Sequence, residues 1–201
     1  MDAWRELDEP WRAALELAWD AYLAGTIPVG SVVTAADGRI VARGRNRIFD
    51  ASGRGLAGSR LAHAEVDALA QLPAKERYRD HVLYSALEPC LLCTAAALLS
   101  TVGRIEYATP DPFGGACNGK IDTAHWRRSA PEIGAPLGGW VGRLSAALQS
   151  AFWLAHPEHR RAGEILDSFG DEARRAGGRV RELDGAATCL QDALPQLLDC
   201  L

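Results

Sequence analysis

Leu87-Glu88-Pro89-Cys90-Leu91-Leu92-Cys93 is the stretch on which the reading of this chain turns, and Ala62-His63-Ala64-Glu65 upstream is its counterpart. The Pro-Cys step predicts a helix that starts near Cys90 and extends to about Thr101. Residues three apart on a helix share a face, so both sulfurs can meet one ion. The positive end of the helix dipole favours thiolates there. His63 is expected to open an earlier helix that runs to about Leu72 and is ended by Pro73. One imidazole and two thiolates are the ligand number and type of a catalytic zinc site, which keeps a fourth position open for water. His63, Cys90 and Cys93 are therefore the expected metal ligands, with Zn2+ as the cofactor. Glu65 is not needed in that shell, which leaves it free to move protons. A lone Cys-x-x-Cys or a lone His-x-Glu is a weak signal; the pair, each at a helix start, is specific.

Outward from these motifs, Val82-Leu83-Tyr84-Ser85-Ala86 reads as a buried strand and Arg104-Ile105-Glu106-Tyr107-Ala108 as another. Upstream, Val29 to Thr34, the Asp37-Gly38 pair and Ile40-Val41-Ala42 form a hairpin signal. A first helix is expected from about Pro10 to Ala24, with Asp8 as N-cap and Gly25 as stop. Residues 43–61 read as a loop, and 109–142, rich in Gly and Pro, as a long irregular segment of the kind that is functional or flexible. Beyond it, helices are expected near Gly142–Ala155 and Pro157–Ala176, a short strand near Val180–Leu183 and a last helix near Ala187–Leu198. Helices alternating with strands point to an α/β layered domain. The expected organisation is one domain over 1–201, with 142–201 a helical extension packed on it.

The 201 residues, 48% hydrophobic and 24% charged, suit one well-filled globular domain. A net charge of -4 gives no general attraction to a phosphate backbone, so a small-molecule substrate is favoured and nucleic acid is not an expected partner. The longest apolar run, Leu91 to Val102, is too short to span a bilayer, and the first residues lack the pattern of a signal peptide. Five cysteines without a secretion signal favour metal binding or free thiols over disulfides. The expected compartment is the cytoplasm.

The donor set suits hydrolysis of an amino group from a nitrogen heterocycle. Zinc lowers the pKa of a bound water from 15.7 to roughly 7, and a nearby carboxylate can carry protons to the ring nitrogen and the departing ammonia. His-x-Glu followed by Pro-Cys-x-x-Cys is the signature of zinc deaminases. On these residues, together with Pro28-Val29-Gly30, Gly44-Arg45-Asn46 and Ser100-Thr101-Val102-Gly103-Arg104-Ile105, the chain resembles the cytidine-deaminase-like superfamily. Within it, the nearest likeness is to the branch of tRNA adenosine deaminases, bacterial guanine deaminases and yeast-type cytosine deaminases. The likeness covers about residues 10–115. It implies a three-layer α/β/α cytidine deaminase-like fold around a central five-stranded mixed sheet, and a homodimer or larger assembly. It also implies that Asn46 hydrogen-bonds the substrate and that the backbone amide of Ala64 helps to hold the ring. The segment from Asp50 to Leu61 is longer than usual for the family, and the tail Leu197-Leu198-Asp199-Cys200-Leu201 lacks the basic residues common in the tRNA enzymes.

Asp111, Phe113 and Trp126 fall where this branch shapes its pocket; Asp111 is taken as a substrate-binding residue, and the aromatics either stack on a base or anchor the loop. Cys117 has no assigned metal. His156 and His159 read as a helix end rather than a second metal site. The arginines from Arg160 to Arg179, interleaved with acids, read as a solvated ion-paired surface. The leading expectation is a hydrolytic deaminase of a free nucleobase or nucleoside, guanine-like or cytosine-like. The alternatives are a tRNA adenosine-to-inosine editing deaminase on the same scaffold, and a non-catalytic zinc-stabilised module in which a protein group such as Cys117 fills the fourth zinc position.

Overall fold

The computed structural model describes residues 3–183 and 189–199, apart from 52, 54, 118 and 120. After a short helix α1 (Ala3–Glu6), α2 (Glu9–Leu23) starts behind Asp8 with Pro10 in its first turn. Strands β1 (Gly30–Thr34) and β2 (Ile40–Arg45) form the expected hairpin, with an irregularity between Val33 and Thr34. Then follow α3 (Ala64–Leu69), β3 (Val82–Ser85), α4 (Leu91–Leu99) and β4 (Arg104–Tyr107). The remainder comprises α5 (Ala124–Ser129), β5 (Glu132–Ile133), α6 (Gly139–Ala155), α7 (Ala162–Glu182) and α8 (Leu190–Leu198).

The five strands form one sheet in the order β2-β1-β3-β4-β5. β1 pairs antiparallel with β2 and β3, whereas β3–β4 and β4–β5 are parallel, so the sheet is mixed. Period-two alternation sends neighbouring residues to opposite layers. Val33, Leu83 and Ile105 bury against Ala68 and Leu69 of α3 and Ala97 of α4. On the other face, Tyr84 meets Trp11 of α2 edge-on at 5.0 Å, inside a larger cluster that includes α6, α7 and α8. Gly44 allows the first layer to close: a Cβ there would lie 2.3 Å from the Ala64 carbonyl oxygen and 2.4 Å from the Ala68 nitrogen. Any side chain at 44 would push α3, and His63 with it, away from the sheet.

Three expectations are corrected. Residues 109–142 are not wholly irregular: they hold α5 and β5, the latter pairing Glu132 with Arg104 and Ile133 with Ile105. Val180–Leu183 is not a strand. Val180 continues the buried stripe of Ala173, Ala176 and Gly177 on α7, and tertiary packing at helical spacing overrides the local β preference. The helix expected over Pro157–Ala176 starts instead at Ala162, is broken at Gly170 (φ 82°) and continues to Glu182. The last helix begins at Leu190, and residues 187 and 188 lie outside the described ones.

Candidate active site

His63 and Cys90 are the N-cap residues of α3 and α4, both with extended backbone, so each side chain leaves its helix at the first turn. Cys93 stands one turn into α4 and is fully buried. His63 Nδ1 lies 3.6 Å from Cys90 Sγ and 3.5 Å from Cys93 Sγ, and the two sulfurs are 3.6 Å apart. Tetrahedral zinc with usual bond lengths sets edges of about 3.8 Å between sulfurs and about 3.6 Å from sulfur to nitrogen. The triangle therefore matches the metal in both donor type and size. Among the described residues, no fourth His, Cys, Asp or Glu joins this group. Cys117 is turned away, its sulfur 3.7 Å from Thr94 Oγ1 and 3.8 Å from the Pro89 carbonyl, with burial pushing its thiol up to about 12.

The ionisation of the trio suits a cation. Hydrogen bonding from Cys93, helped by His63, draws Cys90 down to about 4, while the same contact with Cys90 and burial hold Cys93 in its protonated form. His63 is raised, chiefly by its hydrogen bond to Cys90, and the Arg60 backbone carbonyl adds to the effect. A metal ion would replace the protons these groups share.

Glu65 is 4% exposed and stands outside the trio. Its Oε1 accepts a hydrogen bond from Ser85 Oγ at 3.1 Å, and its Oε2 lies 3.2 Å from Cys93 Sγ. Burial raises its pKa. A carboxyl group with a raised pKa, anchored through one oxygen, is fitted to take up and return a proton.

Both groups open on a cavity of about 440 Å³. Asn46 lines it at 3% exposure. Its Oδ1 accepts from Thr26 Oγ1 at 2.8 Å and from the Ile48 amide at 3.1 Å. A backbone N–H can only donate, so this atom must be oxygen, and the Asn46 amide nitrogen remains as a donor for the cavity. Ala64, buried beside Val29 and Leu87, opens α3, so its amide is one that the helix leaves without an internal acceptor. Asp111 also lines the cavity, but its Oδ1 accepts from the Phe113 and Gly114 amides, both at 2.9 Å, and so shapes its own loop. Phe113 is on the wall with the Arg161 guanidinium 5.6 Å from its ring centre, whereas Trp126 is not a lining residue. His159 reaches the cavity and packs on Trp153, while His156 packs on Phe152 and pairs with Glu158; the two form no metal cluster. The ion-paired surface holds for Arg174–Asp167 and Arg179–Glu182.

Sequence reasoning missed the wall formed by Gln149 and Trp153 of α6 and by Ile165 and Phe169 of α7, and it missed Thr26 behind Asn46. One signal existed: Gln149 interrupts the small and apolar run from Ala146 to Phe152. Cys90, Cys93, Cys117 and Cys189 are free thiols, and Cys200 lies outside the described residues. Among the described residues, no helix is long and apolar enough to cross a membrane.

Residues 5–109 match the model of the cytidine and deoxycytidylate deaminase zinc-binding region. A tRNA(Ile)-lysidine synthase of Deinococcus radiodurans is 37% identical over 136 residues, which is 65% of this chain and 22% of that protein. The chain thus spans about a fifth of that relative's length. A cytosine deaminase of Candida albicans is 34% identical over 47% of this chain and 60% of its own length. A tRNA-specific adenosine deaminase of Haemophilus influenzae is 35% identical over 83% of this chain and 95% of its own. Among solved structures, one from a study of A-to-I editing by tRNA:A34 deaminases is 28% identical, with a TM-score of 0.55 over 69% of this chain and 97% of that one. By motif, by fold and by this match, the chain belongs to the cytidine and deoxycytidylate deaminase zinc-binding family.

Proposed function

We propose that the protein is a zinc-dependent hydrolytic deaminase that removes an exocyclic amino group from a free nucleobase or nucleoside with a guanine-like or cytosine-like ring, releasing ammonia. The observation that carries this reading is the buried, uncoordinated Glu65 beside the His63–Cys90–Cys93 triangle, both opening on one cavity. His63, Cys90 and Cys93 would hold the ion, which when bound would supply a water of lowered pKa. Glu65, its other oxygen held by Ser85, is placed to move two protons in turn: one from the attacking water to the ring nitrogen, and a second from the hydroxyl so added to the leaving amino group. Asn46 donates a hydrogen bond to an acceptor on the ring, and the Ala64 amide offers a second donor. Asp111 holds the loop that carries Phe113 at the cavity wall. Trp153, Ile165 and Phe169 narrow the cavity with apolar surface, which favours a small planar substrate over a polymer. Leu91, Leu92 and Leu99 stand exposed along α4 and support a homodimer that covers them.

The second reading, adenosine-to-inosine editing of tRNA, is favoured by the Haemophilus relative and by Arg60 and Arg161, which line the cavity wall. One experiment separates the two. Metal-replete protein is offered cytosine, guanine, adenine, their nucleosides and a tRNA anticodon stem-loop, and ammonia is measured. Release from a free base or nucleoside is expected, with turnover falling about 10²–10⁴-fold in Glu65→Ala while zinc content is unchanged. Release from the stem-loop alone, falling steeply with salt, would establish editing instead; no release from anything would end the deaminase reading.

A further inference from the structure

Gln149 sits in α6 at 2% exposure and on the wall of the same cavity as Glu65 and Asn46. Its Nε2 donates to the Pro28 carbonyl at 2.9 Å. A backbone carbonyl can only accept, so the orientation of the amide is determined: nitrogen towards Pro28, and Oε1 left with no protein partner among the described residues. An amide oxygen that has no protein donor and lines a ligand cavity is satisfied by the ligand or its water.

Asn46 carries the opposite polarity beside it. Its backbone amide bonds to the Val29 carbonyl at 2.9 Å, so the Asn46 backbone and the Gln149 side chain are tied to consecutive carbonyls of the Pro28–Val29 segment. Asn46 offers N–H and Gln149 offers C=O. The edge that complements both is an acceptor adjacent to a donor, which in an aminated heterocycle is a ring carbonyl next to a ring N–H.

We infer that Gln149 is a specificity-determining residue that accepts a hydrogen bond from this lactam N–H while Asn46 donates to the neighbouring carbonyl. The inference rests on the deaminase reading and narrows its substrate class. Free cytosine has such an edge at N1–H and O2, and guanine has one at N1–H and O6. Adenine has no carbonyl, and cytidine carries its sugar on the nitrogen concerned.

The test deletes the N–H from the substrate and the acceptor from the protein. Ammonia release is measured for cytosine against 1-methylcytosine and for guanine against 1-methylguanine, with wild-type protein and Gln149→Leu. For the base that is turned over, the wild type is expected to prefer it to its methylated partner by about tenfold to a hundredfold in kcat/KM, mainly through KM. In Gln149→Leu that preference collapses. Equal treatment of the pair by the wild type, a preference for adenine, or an equal loss on both members in the variant would overturn the assignment, since a purely structural glutamine would affect both alike. If the wild type releases no ammonia from any base, the deaminase reading has failed. Calorimetric binding of the same pairs to zinc-loaded Glu65→Gln then decides on Gln149: unequal affinities that converge in the Glu65→Gln, Gln149→Leu double variant support it, and any other result overturns it.

Discussion

Asp111 carries a burial cost that its own hydrogen bonds do not remove. Burial raises its pKa despite the amides of Gly114 and Phe113, which favour the ionised form. The sign follows from linkage. A group whose folded pKa lies above its unfolded value contributes stability below the unfolded pKa and loses it as pH rises through the folded one. Ionised Asp111 is therefore a liability near neutrality. Asn would keep an oxygen for the Phe113 and Gly114 amides and shed the buried charge. In metal-free protein, Asp111→Asn is expected to raise Tm at pH 7 by about 2–4 °C, the equivalent of about 1 kcal/mol, with the gain shrinking towards pH 4. Thermal unfolding across that range checks it, and a gain independent of pH would refute the buried-charge account. The contrast with Glu65 is instructive. Both carboxyls are raised by burial, but only Glu65 stands against the ligand sulfur, where holding a proton is useful.

The cavity wall depends on how α6 and α7 meet. At Gly177 a Cβ would lie 2.7 Å from the Ala151 nitrogen and 2.7 Å from Ser150 Cβ, so the two helices touch at backbone range next to Gln149. At Gly178 there is open space. Helix propensity favours alanine over glycine by about 1 kcal/mol, whereas overpacking costs about 1–3 kcal/mol. Gly178→Ala is thus expected to raise Tm by about 2–4 °C. Gly177→Ala is expected to lower it and to raise KM with zinc content intact. Melting curves of the pair decide whether the seam is as tight as described. Little of this wall was legible in the sequence. The hairpin, the starts of α3 and α4, the ligand trio and the placement of Glu65 follow from turn chemistry and short-range spacing, which act within a few residues. Asn46 was singled out through resemblance and lines the cavity, but its partner Thr26 was not singled out, because that bond joins segments that only the fold brings together. Strand β5 is two residues long and exists because β4 offers it an edge. Val180 has the residue type of a strand and is held in a helix by α6. Trp153, Ile165 and Phe169 were not singled out, because nothing local distinguishes a residue that lines a cavity from one that fills a core.

Across the whole molecule, the metal trio and the main core lie on different sides of the sheet. The larger cluster joins α2, α6, α7 and α8, while the ligands stand at the starts of α3 and α4 on the other face. A small zinc domain without a core unfolds when stripped of metal; a chain with a core of this size is expected to stay folded without the ion. Binding to the folded state alone adds about 2.7 kcal/mol at a free metal concentration one hundred times Kd. For a chain of this length that corresponds to roughly 5–11 °C in Tm. Chelation is therefore expected to lower Tm by about that amount, to leave the far-ultraviolet circular dichroism almost unchanged, and to be reversed by added zinc. Amide exchange should locate the loss: α3 and α4 lose protection, while α2 and α6 keep theirs. An unchanged Tm would mean that the triangle holds no metal. Global unfolding on chelation would mean that the helical side cannot stand alone and that the ion is structural as much as catalytic.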